Sequence, residues 1–212
     1  KNIFLDGFNS NKIQTFSKVS NSPTGVCLVF ITPDGERTMS SNLAANEDLH
    51  PSCLNESALI SSDWLIFDAF SICTPGGYAT TKKALNLASK NNLKICFGLA
   101  DINLIKPYLL RIQWILDNNI TYLVGNTREI ELLNSYRKFP VNKTLCTQGS
   151  DGAKLGLIEV SAKPVKIKNS NGAGDALLGI FLSLLQEKGL QKSLEEAVKY
   201  ASLVCEVDGP RL

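Results

Sequence analysis

With 212 residues the chain is long enough for one large domain and short for two. Hydrophobic residues make up 44% and charged residues 20%, which supports a sizeable core and argues against intrinsic disorder. Lys and Arg number 22 against 20 Asp and Glu, with no acidic or basic block, so neither nucleic acid nor an anionic membrane is indicated as a partner.

Residues 1–23 are polar and carry no clear periodicity. The first residue is Lys1, the only methionine is Met39, and no apolar signal-peptide core follows the start. The last residues, Gly209-Pro210-Arg211-Leu212, stop just after an apolar helical pattern, so the chain reads as part of a longer protein. Thr24 to Thr32 is a β-branched, apolar strand. Pro33-Asp34-Gly35-Glu36 is a turn signal and Arg37 to Ser40 a returning strand, which predicts a hairpin over 24–40. Beyond Asp63, short apolar strands are expected at Trp64–Phe67, Leu93–Phe97, Ile120–Val124 and Lys143–Thr147. Further strands are expected at Ala153–Val160 and Val165–Lys168. Helices are expected at Pro75–Asn91, Asn103–Asn118, Thr127–Tyr136, Ala173–Lys188 and Ser193–Val207. Pro107 falls in or near the first turn of the second of these.

Strands alternating with helices define an α/β fold with a mostly parallel sheet covered on both faces. In such sheets ligands bind beyond the carboxyl ends of the strands, so the loops that follow strands are the ones that matter. The longest apolar stretches fall well short of the roughly 18 residues a membrane span needs.

Cysteine and histidine usage removes several chemistries. Cys27, Cys53, Cys73, Cys96, Cys146 and Cys205 form no C-x-x-C pair, and four lie inside apolar runs. That is the usage of small buried hydrophobes in a reducing, cytoplasmic setting, not of a disulfide framework. The single histidine, His50, excludes a Cys/His zinc cluster of several histidines and an H-E-x-x-H site. No G-x-S-x-G elbow accompanies it, so His50 is expected to be a solvated loop residue.

Three loops after strands carry polar and glycine residues. Asn169-Ser170-Asn171-Gly172-Ala173-Gly174-Asp175 leads into a helix whose Ala176, Leu177, Ile180, Phe181, Leu184 and Leu185 share a face. Two glycines at a helix N-terminus let the backbone approach a ligand, and the free amides with the helix dipole favour an anion. An acid beside an anion site repels the anion. It makes sense where Asp175 takes a proton from an attacking hydroxyl while the amides steady a transferring phosphoryl group. The alternative is a capping carboxylate on a tight turn. Thr147-Gln148-Gly149-Ser150-Asp151-Gly152 suits a phosphate or ribose contact, or is a plain Asp-Gly turn. Asn126-Thr127-Arg128-Glu129 fits a capping box, or holds a carboxylate near metal-bound phosphates, where Glu129 would act through water.

In order, N-x-x-E, T-x-G-x-x-G-A and S-N-G-A-G-D resemble the ribokinase-like, pfkB-type carbohydrate and nucleoside kinases. Residues 24–39, from Thr24-Gly25 through Pro33-Asp34-Gly35-Glu36-Arg37-Thr38-Met39, are similar to that family's T-G-T…P-D-G-E-R-T-M region. The resemblance implies a ribokinase-like three-layer α/β sandwich in a single domain over 1–212, with the 24–40 hairpin as a lid or edge. It implies transfer of the γ-phosphoryl of ATP, with Mg²⁺, to a hydroxymethyl group of a sugar or nucleoside, with a homodimer as the candidate assembly. Asp175 would be the catalytic base. Gly172, Ala173 and Gly174 would form the anion hole, and Ser170 would be among the residues that bind the cofactor. Thr147, Gly149 and Gly152 would line the nucleotide site, and Asn126 and Glu129 would position Mg²⁺ and phosphate, Glu129 through water.

The sequence departs from the family in three ways. Asn169-Ser170 stands where Asp-Thr is usual, so a hydroxyl is kept and a charge lost. Gly98-Leu99-Ala100-Asp101 stands where many sugar kinases carry Asp-Pro-Asn, as in members nearer the adenosine-kinase branch. The family's N-terminal portion, with its Gly-Gly substrate motif, is not in this chain. A non-catalytic kinase-fold binding or regulatory protein is the alternative, favoured by Asn169 and opposed by Asp175. A dinucleotide-binding oxidoreductase fails on order, because its glycine-rich loop follows the first strand.

Overall fold

Val26-Cys27-Leu28-Val29-Phe30-Ile31 is rich in β-branched and aromatic residues, the composition that favours extended backbone. In the computed structural model, which describes residues 7–8, 11, 13–31 and 37–209, it forms β1 (Val26–Ile31). β2 (Arg37–Asn42) pairs with it antiparallel, Val26 opposite Asn42 and Ile31 opposite Arg37. The expected hairpin is therefore present, while its turn, Pro33-Asp34-Gly35-Glu36, lies outside the described residues. Val26, Leu28, Val29 and Phe30 are exposed, so both faces of β1 carry apolar side chains in water.

The chain forms two compact units, 1–95 and 96–212. In the first, α1 (Glu56–Ile60) begins at Asn55, whose side chain accepts from the Ala58 amide at 3.0 Å. β3 (Trp64–Asp68) follows. α2 (Pro75–Lys90) opens with Pro at its first position and Thr74 as cap, the threonine hydroxyl accepting from the Gly77 amide at 3.0 Å. Ile72, Leu85 and Ala88 are fully buried here. His50 is exposed and caps a short 3₁₀ turn, Pro51–Cys53, by accepting from the Ser52 amide at 3.2 Å.

β4 (Lys94–Gly98) follows, and from it the neighbouring strands run in the order β4-β5-β6-β7-β8. In the second unit β4, β5 (Tyr122–Asn126) and β6 (Thr144–Thr147) are parallel. β7 (Ala153–Leu155) and β8 (Ile158–Val160) then add antiparallel, making the sheet mixed. The strand expected over 153–160 is thus two strands, because Gly156 at φ 63° turns the chain back with Leu157. The helix expected over 103–118 is also two pieces, α3 (Ile102–Ile105) and α4 (Leu109–Leu116), separated at Pro107. Proline has no amide to donate and its ring clashes with the preceding turn.

α5 (Thr127–Tyr136) has the expected bounds. α6 (Ala173–Val204) is interrupted at Gly189, with φ 74° and ψ 174°. The two expected helices are its two arms, the second beginning a few residues earlier than expected. No strand forms over 165–168. The core of this unit is Phe97, Leu99, Ile105, Ile112, Ile115, Leu123, Leu133, Leu145 and Phe181, all at 1% exposure or less. All six cysteines are free thiols, and burial pushes the Cys96 thiol up to about 12. Among the described residues no helix is long and apolar enough to cross a membrane.

Candidate functional site

The parallel register brings three strand ends together. Gly98 pairs with Val124, and Asn126 with Thr147, so the carboxyl ends of β4, β5 and β6 lie side by side. This is where a parallel sheet presents a crevice.

At the end of β5, Asn126 and Glu129 form a complete capping box. The Asn126 amide and side-chain Nδ2 donate to Glu129 Oε2 and Oε1, at 2.9 and 2.8 Å. The Glu129 amide donates back to Asn126 Oδ1 at 3.0 Å. Glu129 is only 5% exposed. Burial raises its pKa, the Asn126 amide opposes the rise, and the nearby Asp101 charge adds to it.

After β6 the chain turns tightly at Gly149–Asp151 before entering β7. Gly152 has φ 106°, and a Cβ there would lie 1.9 Å from the Val160 carbonyl oxygen, so only glycine fits. The Gln148 amide donates to the Gly152 carbonyl at 2.8 Å and closes the loop.

The third loop is organised by Asn169, whose Oδ1 accepts from the Asn171 amide at 2.9 Å. Gly172 follows in the left-handed region at φ 79°. No side chain caps α6. The first full helical bond runs from the Ala176 amide to the Gly172 carbonyl at 2.8 Å, and the Ala173 amide reaches Ser170 only at 3.4 Å. Among the described residues the amides of Gly174 and Asp175 have no acceptor. With the positive end of the helix dipole behind them, they suit an anion. Asp175 itself is exposed. The far end of α6 returns to this loop, where the Cys205 carbonyl accepts from the Lys168 amide at 2.8 Å and the Asn169 amide at 3.2 Å.

One pocket joins the second and third loops. Thr147, Gly149, Gly152, Ser170, Ala173 and Gly174, all singled out in the sequence, line it. Gly172 and Asp175 flank those residues in the chain, outside the lining. Asn126 and Glu129 stand on the neighbouring strand end and do not line it. Sequence reasoning missed the rest of the wall. Val165 and Ile167, expected in a strand, are irregular chain facing the pocket, with Lys163 beside them. Leu177, Val198, Ala201 and Cys205 come from both arms of α6. The spacing of the last three, i, i+3 and i+7, reads equally well as an ordinary core face.

Among the described residues no group of three or more His, Cys, Asp and Glu could hold a metal ion. Both Glu129 oxygens already accept hydrogen bonds from Asn126. The described residues therefore offer no cage for a bare divalent cation. Such a donor set fits Mg²⁺ only as an ion carried by phosphate oxygens and its own waters.

A glycine turn and an uncapped helix start thus line one pocket beyond the carboxyl ends of parallel strands, a position and an equipment that suit a phosphate group. The model of the pfkB family carbohydrate kinases matches residues 2–212, and the chain belongs to that family. Solved structures show the ribokinase-like fold directly. The adenosine kinase of Sinorhizobium meliloti superposes with a TM-score of 0.88 at 19% identity, covering 99% of this chain and 70% of its own. The Anopheles gambiae adenosine kinase, in complex with P1,P4-di(adenosine-5) tetraphosphate, gives 0.82 at 21% identity, covering 98% and 70%. An Escherichia coli ribokinase II candidate in complex with ATP and Mg²⁺ gives 0.75 at 19% identity, covering 86% and 65%.

Proposed function

We propose that the protein transfers the γ-phosphoryl group of ATP to a hydroxymethyl group of a small sugar or nucleoside. The observation that carries this reading is Asp175. It is an exposed carboxylate in the first turn of an uncapped helix, beside the pocket that both glycine loops line. An acid there does not serve anion binding, but it can accept the proton of an attacking hydroxyl.

The nucleotide lies in the pocket, and the amides of Gly174 and Asp175 face the phosphoryl group as charge develops on its oxygens. Gly172, at positive φ, aims the first turn of α6 without a side chain in the way. Ser170 supplies a hydroxyl in the same wall. Mg²⁺, when bound with the nucleotide, neutralises phosphate charge. Asn126 and Glu129 hold each other in place at the adjoining strand end and keep that end in register with Thr147. The free state of all six thiols supports a reducing, cytoplasmic location.

The test is transfer of label from γ-labelled ATP to a panel of pentoses, hexoses and nucleosides, followed by chromatography of the products. Label on a primary hydroxyl of one acceptor is expected. No transfer to any acceptor, with nucleotide bound, would support a non-catalytic kinase-fold protein instead.

A further inference from the structure

Asn171-Gly172 is the one Asn-Gly pair in the sequence, and it stands immediately ahead of the helix start that suits an anion. Asn171 is exposed, and the two residues form the turn that leads into α6. Asn171 precedes the helix and belongs to no strand, so its side chain can swing back on the following amide without opening helix or sheet. The main-chain bond across the pair, from the Ala173 amide to the Ser170 carbonyl, is 3.4 Å long, at the weak end of the range.

A glycine after an asparagine has no side chain to shield its amide nitrogen. That nitrogen and the asparagine Cγ close a five-membered ring, and the attack is intramolecular, so no entropy of association opposes it. Gly172 caps α6 at the positive end of the helix dipole. Positive potential there favours the deprotonated nitrogen and the oxyanion that its attack creates.

We propose that Asn171 is a site of spontaneous deamidation. The Gly172 nitrogen gives its proton to water and attacks Asn171 Cγ. An N–C bond forms, the bond from Cγ to the side-chain nitrogen breaks, and that nitrogen leaves as ammonia. Water then opens the ring at one of its two carbonyls and leaves aspartate or isoaspartate at position 171. One water is consumed and one ammonia released, with no oxidant or reductant. Either product sets a carboxylate directly ahead of Gly172, and isoaspartate also lengthens the main chain of the turn by one methylene. On the phosphate-binding reading given above, on which this consequence rests, the new charge repels the phosphoryl group and the loop passes irreversibly to a weakly binding form.

The test is incubation of the whole chain for days in warm, mildly alkaline buffer, followed by peptide mass spectrometry with fragmentation that separates Asn171 from Asn169. Position 171 should show the mass gain of an NH₂ exchanged for OH, and methyl labelling by a protein isoaspartate methyltransferase should find isoaspartate there. Asn86 and Asn134, inside α2 and α5, should show no gain over the same period. No gain at 171, or an equal gain at the two helical asparagines, would overturn the proposal. The Kd for ADP should be about threefold or more higher in the modified fraction than in fresh protein, by calorimetry. Asn171→Ser, treated alike, should keep its starting Kd. A modified fraction that binds ADP as fresh protein does, or an equal loss in Asn171→Ser, would overturn the consequence for binding. Fresh protein that binds no ADP would instead remove the donor site, while the mass gain still decides the modification.

Discussion

Glu129 and Asn126 occupy each other completely: both carboxylate oxygens accept from Asn126, and the Asn126 side-chain oxygen Oδ1 accepts from the Glu129 amide. Replacing Glu129 with Gln removes one acceptor and sets two amide groups against each other. The expected cost is about 0.5–2 kcal/mol of stability, read by chemical denaturation. The pH dependence has a definite sign. Burial raises the folded pKa above the unfolded one, so the folded state binds the proton more tightly. The Glu129 contribution is therefore fully present below the unfolded carboxylate pKa, about 4.3, and falls as pH rises through the folded value. The stability of wild type relative to Glu129→Gln should increase as pH drops from neutral toward that window. A difference that shrinks on acidification would contradict the burial argument.

Asp175→Asn keeps the size and the first-turn position of the side chain but removes the base. The kcat should fall at least ~10²-fold, while calorimetry shows nucleotide binding nearly unchanged. Turnover close to wild type would show that another group takes the proton.

Asn169 already has its side-chain oxygen on the Asn171 amide. Asn169→Asp keeps that acceptor, so the turn should survive, and it restores the charge usual in the family. A lower Mg²⁺ requirement or a higher kcat is expected. An unchanged Mg²⁺ titration would show that the position acts only through the turn.

Two glycines in the same pocket should respond in opposite ways. Gly152→Ala forces a methyl into the Val160 carbonyl at positive φ and should cost more than about 2 kcal/mol. A Cβ on Gly174 meets nothing within 4 Å. Gly174→Ala should leave stability unchanged, or raise it by up to about 1 kcal/mol through helix propensity. Its methyl points toward open space in a pocket wall, so nucleotide affinity should fall while the melting temperature does not. Loss of stability in Gly174→Ala would mean the helix start is more crowded than described.

Much of the architecture was legible because its causes are local. α5 could be read residue by residue, since Asn126, Glu129 and the apolar spacing after them specify a helix start without help from elsewhere. The signature glycines were legible for the same reason. The errors occurred where a distant partner decides the structure. Val165-Lys166-Ile167-Lys168 alternates as a half-buried strand does, and Val165 and Ile167 do share the pocket wall. Among the described residues no neighbouring strand meets that backbone, so the alternation produces no strand. Gly156 falls inside the strand expected over 153–160 because one glycine in an apolar run signals either a bulge or a turn, and only pairing decides which. The role of Val198, Ala201 and Cys205 was hidden because core faces and pocket walls share one spacing.

The Cys205 carbonyl holds the entry to the loop whose exit starts the helix that Cys205 ends. The segment thus forms a closed circuit, and the proposed catalytic turn is only as rigid as the last turn of α6. Helix ends fray more readily than helix middles. Any event that unwinds the chain around Val204 and Cys205 would free Lys168 and Asn169 together and so loosen the anion site. The activity of the site is then governed partly by a stretch of chain that touches neither the phosphoryl group nor its acceptor.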